Sequence, residues 1–174
     1  CFGFPVGTYL AERAADDVPP PATALRAHLD AWMTKHEVEV VSCTVPCRSS
    51  AWMACLSTAG FAFVDMALLA FARRLTTLPE ARIAVRPAVV DDHEALIGLA
   101  GSAFSFGRYH TDARFPRDKA DARYQLWMRN ALSGPTERDI VLVTGEPGRP
   151  GGFVCATLDG HRAALTLAAV DPEA

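Results

Sequence analysis

The chain has 174 residues, 50% of them apolar and 21% charged, which suits a globular protein with one substantial core or two small ones and excludes disordered and collagen-like classes. Its formal net charge of −3 argues against a general binder of nucleic acid or anionic membrane, because those partners are met by a strong basic excess. An anionic ligand therefore has to be held by a local basic cluster.

The longest apolar run, Phe61 to Ala72, is interrupted by Asp65 and falls short of the roughly 18–20 residues that cross a bilayer. No basic segment followed by an apolar one marks secretion. The five cysteines, Cys1, Cys43, Cys47, Cys55 and Cys155, are odd in number and fall mostly in apolar runs, so they read as reduced, buried thiols of a cytoplasmic protein. The chain begins at Cys1 inside an apolar segment and stops at Ala174 directly after another, and both ends look cut.

In chain order, Cys1 to Leu10 has strand composition, with Gly3, Pro5 and Gly7 placing irregularity or an edge position in it. Ala22 to His36 carries Leu25, Leu29, Trp32 and Met33 at helical spacing. Val38, Val40, Val41, Thr44 and Val45 predict a strand, and Ser49 or Ser50 caps a helix running to about Thr58. Gly60 ends that helix in the left-handed conformation, and Phe61 to Phe71 predicts a further buried strand. Arg73 to Ala81 reads as an exposed connection, dividing the chain into an N-terminal α/β unit, 1–78, and a second unit, 79–174.

In the second unit, Ile83, Val85, Arg86 and Pro87 form a short strand, Asp91 and Asp92 open a helix, and Ala95, Leu96, Leu99 and Ala100 give that helix its apolar face. Ser102 to Arg117 reads as a long loop. Asp118 caps a second helix with Tyr124, Trp127, Met128 and Ala131 three or four positions apart, read as a core stripe. Asp139–Val143, Gly152–Leu158 and Arg162–Val170 then predict three strands joined by hairpin turns.

A strand, two helices and an antiparallel meander resemble the first half of the GNAT N-acetyltransferase fold, a mixed and largely antiparallel sheet with flanking helices. Arg82-Ile83-Ala84-Val85-Arg86-Pro87-Ala88 followed by Asp91-Asp92 resembles the family's opening strand and helix, and Leu165 to Pro172 resembles its fourth strand. Two further stretches, Phe2–Val6 and Gly107–Pro116 with Lys119-Ala120-Asp121 and Trp127, resemble the group that contains the dTDP-fucosamine acetyltransferases, and together with Ala59–Asp65 they cover nearly the whole chain. The resemblance implies transfer of an acetyl group from acetyl-CoA to a primary amine on a small molecule such as a nucleotide-linked amino sugar, by direct attack and without an acyl-enzyme. The same words would serve another amine (a protein N-terminus, an aminoglycoside, a polyamine) or a non-catalytic GNAT-like binding module.

By the same resemblance, backbone groups of Ala168, Ala169 and Val170 face the pantetheine of acetyl-CoA and polarise the thioester oxygen. The family's next element, an Arg/Gln-x-x-Gly-x-Gly/Ala loop that binds the CoA pyrophosphate at a helix N-terminus, and a later Tyr acid are expected beyond Ala174, so residues 1–174 alone are expected to be inactive. No carboxylate lies between Arg162 and Val170 to act as base. His110 is the candidate catalytic base, since imidazole titrates near neutrality, and a loop histidine that only hydrogen-bonds is the competing reading.

Arg108 and Arg114 are candidate phosphate ligands, with Tyr109 and Asp112 beside them as substrate contacts, because arginine presents paired donors to phosphate oxygens. Tyr109 and Phe115 either stack on a base or pin the loop. Cys43 and Cys47 lack a second ligand pair for zinc, Cys55 and Cys155 have no adjacent base, and no metal is implied. Neither nucleic acid nor membrane is expected as a partner, while a homodimer is compatible with the sequence.

Overall fold

The computed structural model describes residues 5–10, 18–68, 70, 72, 80, 82–134 and 138–173. Contacts divide the chain into two units, Cys1–Asp65 and Met66–Ala174, so the division falls ahead of the connection expected at 73–81. Residues 73–79 and 81 lie outside the described residues.

The first unit runs β1 (Val6–Leu10), α1 (Ala22–His36), β2 (Val40–Thr44) and α2 (Ser50–Thr58). β1 and β2 pair in parallel, with Val6 opposite Val40. A parallel pair needs a long crossover, and α1 supplies it. Gly7 lets that crossover close: a Cβ there would lie 2.8 Å from the Trp32 ring of α1. The apolar stripe of α1 buries Leu25 and Leu29 against Trp52, Cys55 and Leu56 of α2. Gly60 follows α2 with φ +96, the left-handed conformation expected of it.

The buried strand expected from Phe61 to Phe71 is not formed. Residues 61–68 belong to no strand, and Phe63 and Leu68 are 83% and 85% exposed; positions 69 and 71 lie outside the described residues. A continuous apolar run becomes a strand only where a neighbouring edge supplies hydrogen bonds, and apolarity does not say whether that edge exists.

The second unit runs β3 (Val85–Pro87), a 3-10 turn (Val90–Asp92), α3 (His93–Ala103), α4 (Arg108–Thr111), α5 (Arg117–Ser133), β4 (Asp139–Glu146), β5 (Arg149–Asp159) and β6 (Arg162–Val170). The strands form an antiparallel sheet in the order β3-β4-β5-β6. The protein is thus a mixed α/β chain, with a parallel β-α-β unit followed by an antiparallel meander flanked by helices. Two local expectations need correction. The stretch read as a loop from Ser102 to Arg117 contains the single turn α4, and α5 is entered through Pro116 rather than capped by Asp118. Asp118 sits inside the first turn instead, where a negative charge still meets the positive end of the helix.

Alternation along the strands turns one face of the sheet to α3 and α5. Val143, Phe153, Cys155 and Leu167 from that face pack with Leu96 and Ala100 of α3 and with Tyr124, Met128 and Leu132 of α5. No helix among the described residues is long and apolar enough to cross a membrane.

Asp92 joins the start of this helical layer to the sheet. Its carboxylate is wholly buried and accepts from Arg86 Nη1 at 2.6 Å and Nη2 at 3.0 Å, from the Val89 amide at 2.9 Å and from the Gly148 amide at 2.9 Å. Arg86 Nε donates in turn to the Gly145 carbonyl at 2.9 Å. The Arg86 guanidinium, opposed by burial and helped by the two amides, holds the Asp92 carboxyl well below the usual carboxylate range.

A carboxyl whose pKa is lower folded than unfolded stabilises above its unfolded value of about 4 and loses that contribution as pH falls below it. Replacing Asp92 by Asn turns an amide donor toward donors. Asp92→Asn is therefore expected to cost the second unit about 2–3 kcal/mol at neutral pH and to flatten the decline of stability below about pH 4. Urea unfolding followed through the amide signals of β4 and β5 measures both.

Candidate functional site

The expected site residues lie in two places within the second unit. Arg108, Tyr109 and His110 are in α4, with Asp112 and Arg114 in the turn after it, whereas Ala168, Ala169 and Val170 close β6.

A four-residue helix cannot persist on its own hydrogen bonds, so α4 depends on what it packs against, which is α5. His110 is the main tie. Its side chain is 2% exposed, and Nε2 lies 2.8 Å from Oδ1 of Asp121 in α5. A carboxylate can only accept, so Nε2 carries the proton. Nδ1 is buried with no hydrogen-bond partner among the described residues. The ring also stacks on Tyr124 at 5.8 Å, and Tyr124 stacks on Phe104 at 4.6 Å. The hydrogen-bonding reading of His110 is what this geometry displays: the imidazole fastens α4 to α5 and has one nitrogen engaged.

Tyr109 meets Phe115 edge-on at 5.2 Å and carries the Arg123 guanidinium over its face at 4.3 Å and that of Arg108 at 5.5 Å. Phe115 and Tyr109 thereby brace the loop on itself. Arg114 and Asp112 form a chelated pair, with Nε 2.8 Å and 3.1 Å from the two carboxylate oxygens, and the Arg114 amide also donates to Asp112. Arg114 holds the Asp112 carboxyl below its ordinary range. Both members of the pair therefore shape the turn, and a phosphate on Arg114 would have to share the guanidinium with Asp112.

Tyr124 and Met128 are buried as the helical stripe predicted, but Trp127 is 39% exposed. Tyr124, Met128 and Leu132 share the covered face at four-residue spacing, and Trp127, one position before Met128 and so about 100° round the helix, lies at its margin. Arg123 and Asp121 join the cluster from α5. Each is three residues or fewer from Tyr124 on α5, yet sequence spacing alone does not tell which loop ring or imidazole they meet.

β6 pairs only with β5 and has no other partner among the described residues. Register shifts between Cys155 and Ala156, whose partners are Leu167 and Leu165, so Thr166 is an extra residue that bulges β6. The Asp171 amide donates to the Gly151 carbonyl at 2.9 Å, which fixes the alternation of the ladder. Val170 and Ala168 fall at non-hydrogen-bonded positions and direct their N–H and C=O groups to the open edge, while those of Ala169 face β5. Two of the three expected cofactor-contacting residues therefore direct their backbone groups away from β5, with no strand beside them among the described residues.

Cys155 lies beneath α5, and burial pushes its thiol up to about 11, which leaves no thiolate nucleophile at neutral pH. Among the described residues no group of three His, Cys, Asp or Glu side chains is placed to hold a metal ion. No protein-family model and no curated protein matches the chain.

If His110 fastens α4, His110→Ala is expected to speed amide hydrogen exchange across residues 107–115 by about tenfold, the equivalent of one lost hydrogen bond of roughly 1.4 kcal/mol. Exchange in β4, β5 and β6 should be unchanged. Equal protection of 107–115 in both proteins would remove His110 from that role.

Proposed function

We propose that the second unit is the acyl-donor half of an acetyl-CoA-dependent N-acetyltransferase of the GNAT type, acting on a small-molecule amine. The observation that carries the reading is β6: an edge strand among the described residues, bulged at Thr166, with the backbone groups of Ala168 and Val170 directed away from β5. The order of strand, two main helices and antiparallel meander supports it.

Acetyl-CoA bound along that edge supplies the acetyl thioester. The outward groups of Ala168 and Val170 hydrogen-bond an extended amide chain as a sheet edge binds a peptide, and an amide N–H directed at the thioester oxygen polarises it. With Cys155 buried and protonated, the acyl group passes directly to the amine, whose proton leaves to water or to a base outside α4. His110 is a positioning residue here, holding Arg108 and Tyr109 in place for a nucleotide-linked amino sugar, and Asp112–Arg114 braces the same turn. Cytoplasmic location and self-association into a homodimer belong to the same proposal.

No Arg/Gln-x-x-Gly-x-Gly/Ala loop follows β6 within residues 1–174, so the affinity of these residues for acetyl-CoA is expected to be on the order of millimolar. Titration followed by amide NMR should shift the Ala168 and Val170 signals saturably and that of Ala169 less. Ala168→Pro deletes an outward N–H without removing a ladder bond and is expected to weaken binding about five- to tenfold. Absence of saturable shifts along β6 would sink the assignment.

A further inference from the structure

Gly101, Phe104, Gly107 and His110, each three residues after the last, run along one side of α5. A Cβ at Gly101 would meet the Gln125 side chain, Phe104 stacks on Tyr124, Gly107 abuts the Tyr124 hydroxyl and His110 reaches Asp121. The chain from the end of α3 to α4 is therefore seated on α5 step by step, from position 125 back to position 121.

Gly107 is the step from which α4 starts. Its carbonyl accepts from the His110 amide at 2.8 Å and from the Thr111 amide at 3.2 Å. Its backbone, with φ −73 and ψ 168, is extended and open to any L-residue, so conformational freedom is not what glycine supplies. What it supplies is space. A Cβ there would lie 2.7 Å from Tyr124 Oη but 3.8 Å from the ring carbon that bears the hydroxyl. The first distance is a clash, and the second is ordinary van der Waals contact.

Tyr124 is not placed to swing aside. Its ring lies nearly parallel to Phe104, at 4.6 Å, and to His110, at 5.8 Å, and the residue is buried. A side chain added at position 107 would therefore displace the backbone of that residue, and with it the first hydrogen bonds of α4. Closely packed interiors transmit such a displacement rather than absorb it.

We propose that Tyr124 is a positioning residue: its hydroxyl, seated on Gly107, sets where α4 begins and so where Arg108 and Tyr109 stand. His110 and Asp121 fasten the other end of the same turn. The inference rests on the acetyltransferase reading only in naming α4 as the holder of the acceptor. The placement of α4 by Tyr124 stands on this contact alone.

The test is a cycle of Gly107→Ala, Tyr124→Phe and the two together in the 174-residue chain, read by NMR. One readout is amide exchange over residues 107–112. The other is the Arg123 Nε–H, which burial protects from exchange and which feels the ring current of Tyr109, because the guanidinium sits 4.3 Å over that ring. Gly107→Ala should speed exchange in α4 about tenfold and move the Arg123 signal off its ring-shifted position, with the amides of β4 and β5 unchanged. Tyr124→Phe removes the oxygen that the new methyl group strikes, so the double variant should return both readouts to within about twofold of Tyr124→Phe alone. Independent losses of packing would add in the double variant, whereas a direct contact is rescued.

Wild-type exchange and Arg123 signal in Gly107→Ala, or a double variant as loosened as Gly107→Ala, would overturn the proposal. Should Tyr124→Phe fail to fold, Gly107→Ala decides it by the same two readouts. Because no ligand is present, that failure is separate from a failure of acetyl-CoA to bind β6.

Discussion

A buried carboxylate with four donors around it organises the second unit. Asp92 has no exposure to solvent, and removing a charge from water is costly unless hydrogen bonds replace the lost hydration. Arg86 comes from β3, the Val89 amide from the turn that opens the helical layer, and the Gly148 amide from the hairpin between β4 and β5. The geometry is satisfied only when all three segments are assembled. The short strand β3 has three residues and little side-chain burial of its own, so this polar junction, rather than apolar area, ties it to its neighbours.

From that junction the sheet extends in one direction, β3 to β4 to β5 to β6, and the burial of its faces is unequal. The side covered by α3 and α5 carries the large core residues, whereas β6, at the far edge, exposes Leu165 and Val170. An edge strand with free main-chain groups is a liability unless something pairs with it, and a bulge is one way to keep it from pairing with an arbitrary strand.

The aromatic cluster around α4 has a different character. Its rings stack on one another and its guanidinium groups lie over them, so most of its interaction potential is spent internally. Such a cluster gives a short helix a fixed position that its own backbone could not maintain. Arg114, paired with Asp112, and His110, paired with Asp121, are parts of that framework.

Much of the architecture was legible in the sequence because it is written in local periodicity. The 3.6-residue spacing of Leu25 and Leu29, the acidic opening at Asp91-Asp92 and the turns flanking Arg162–Val170 each identify their element without reference to distant residues. What failed depended on partners. Phe61 to Leu68 has the composition of a buried strand and no strand beside it among the described residues, and Trp127 stands at the margin of a core stripe that Tyr124, Met128 and Leu132 occupy.

The candidate site divides in the same way. Residue type marked His110, Arg108 and Arg114 as capable of chemistry, yet only the tertiary structure decided that His110 turns to Asp121 and Arg114 to Asp112. It alone placed Gly107 against the Tyr124 hydroxyl. Residues far apart in the chain meet through strand register and helix packing, and neither is encoded in the spacing of any single segment.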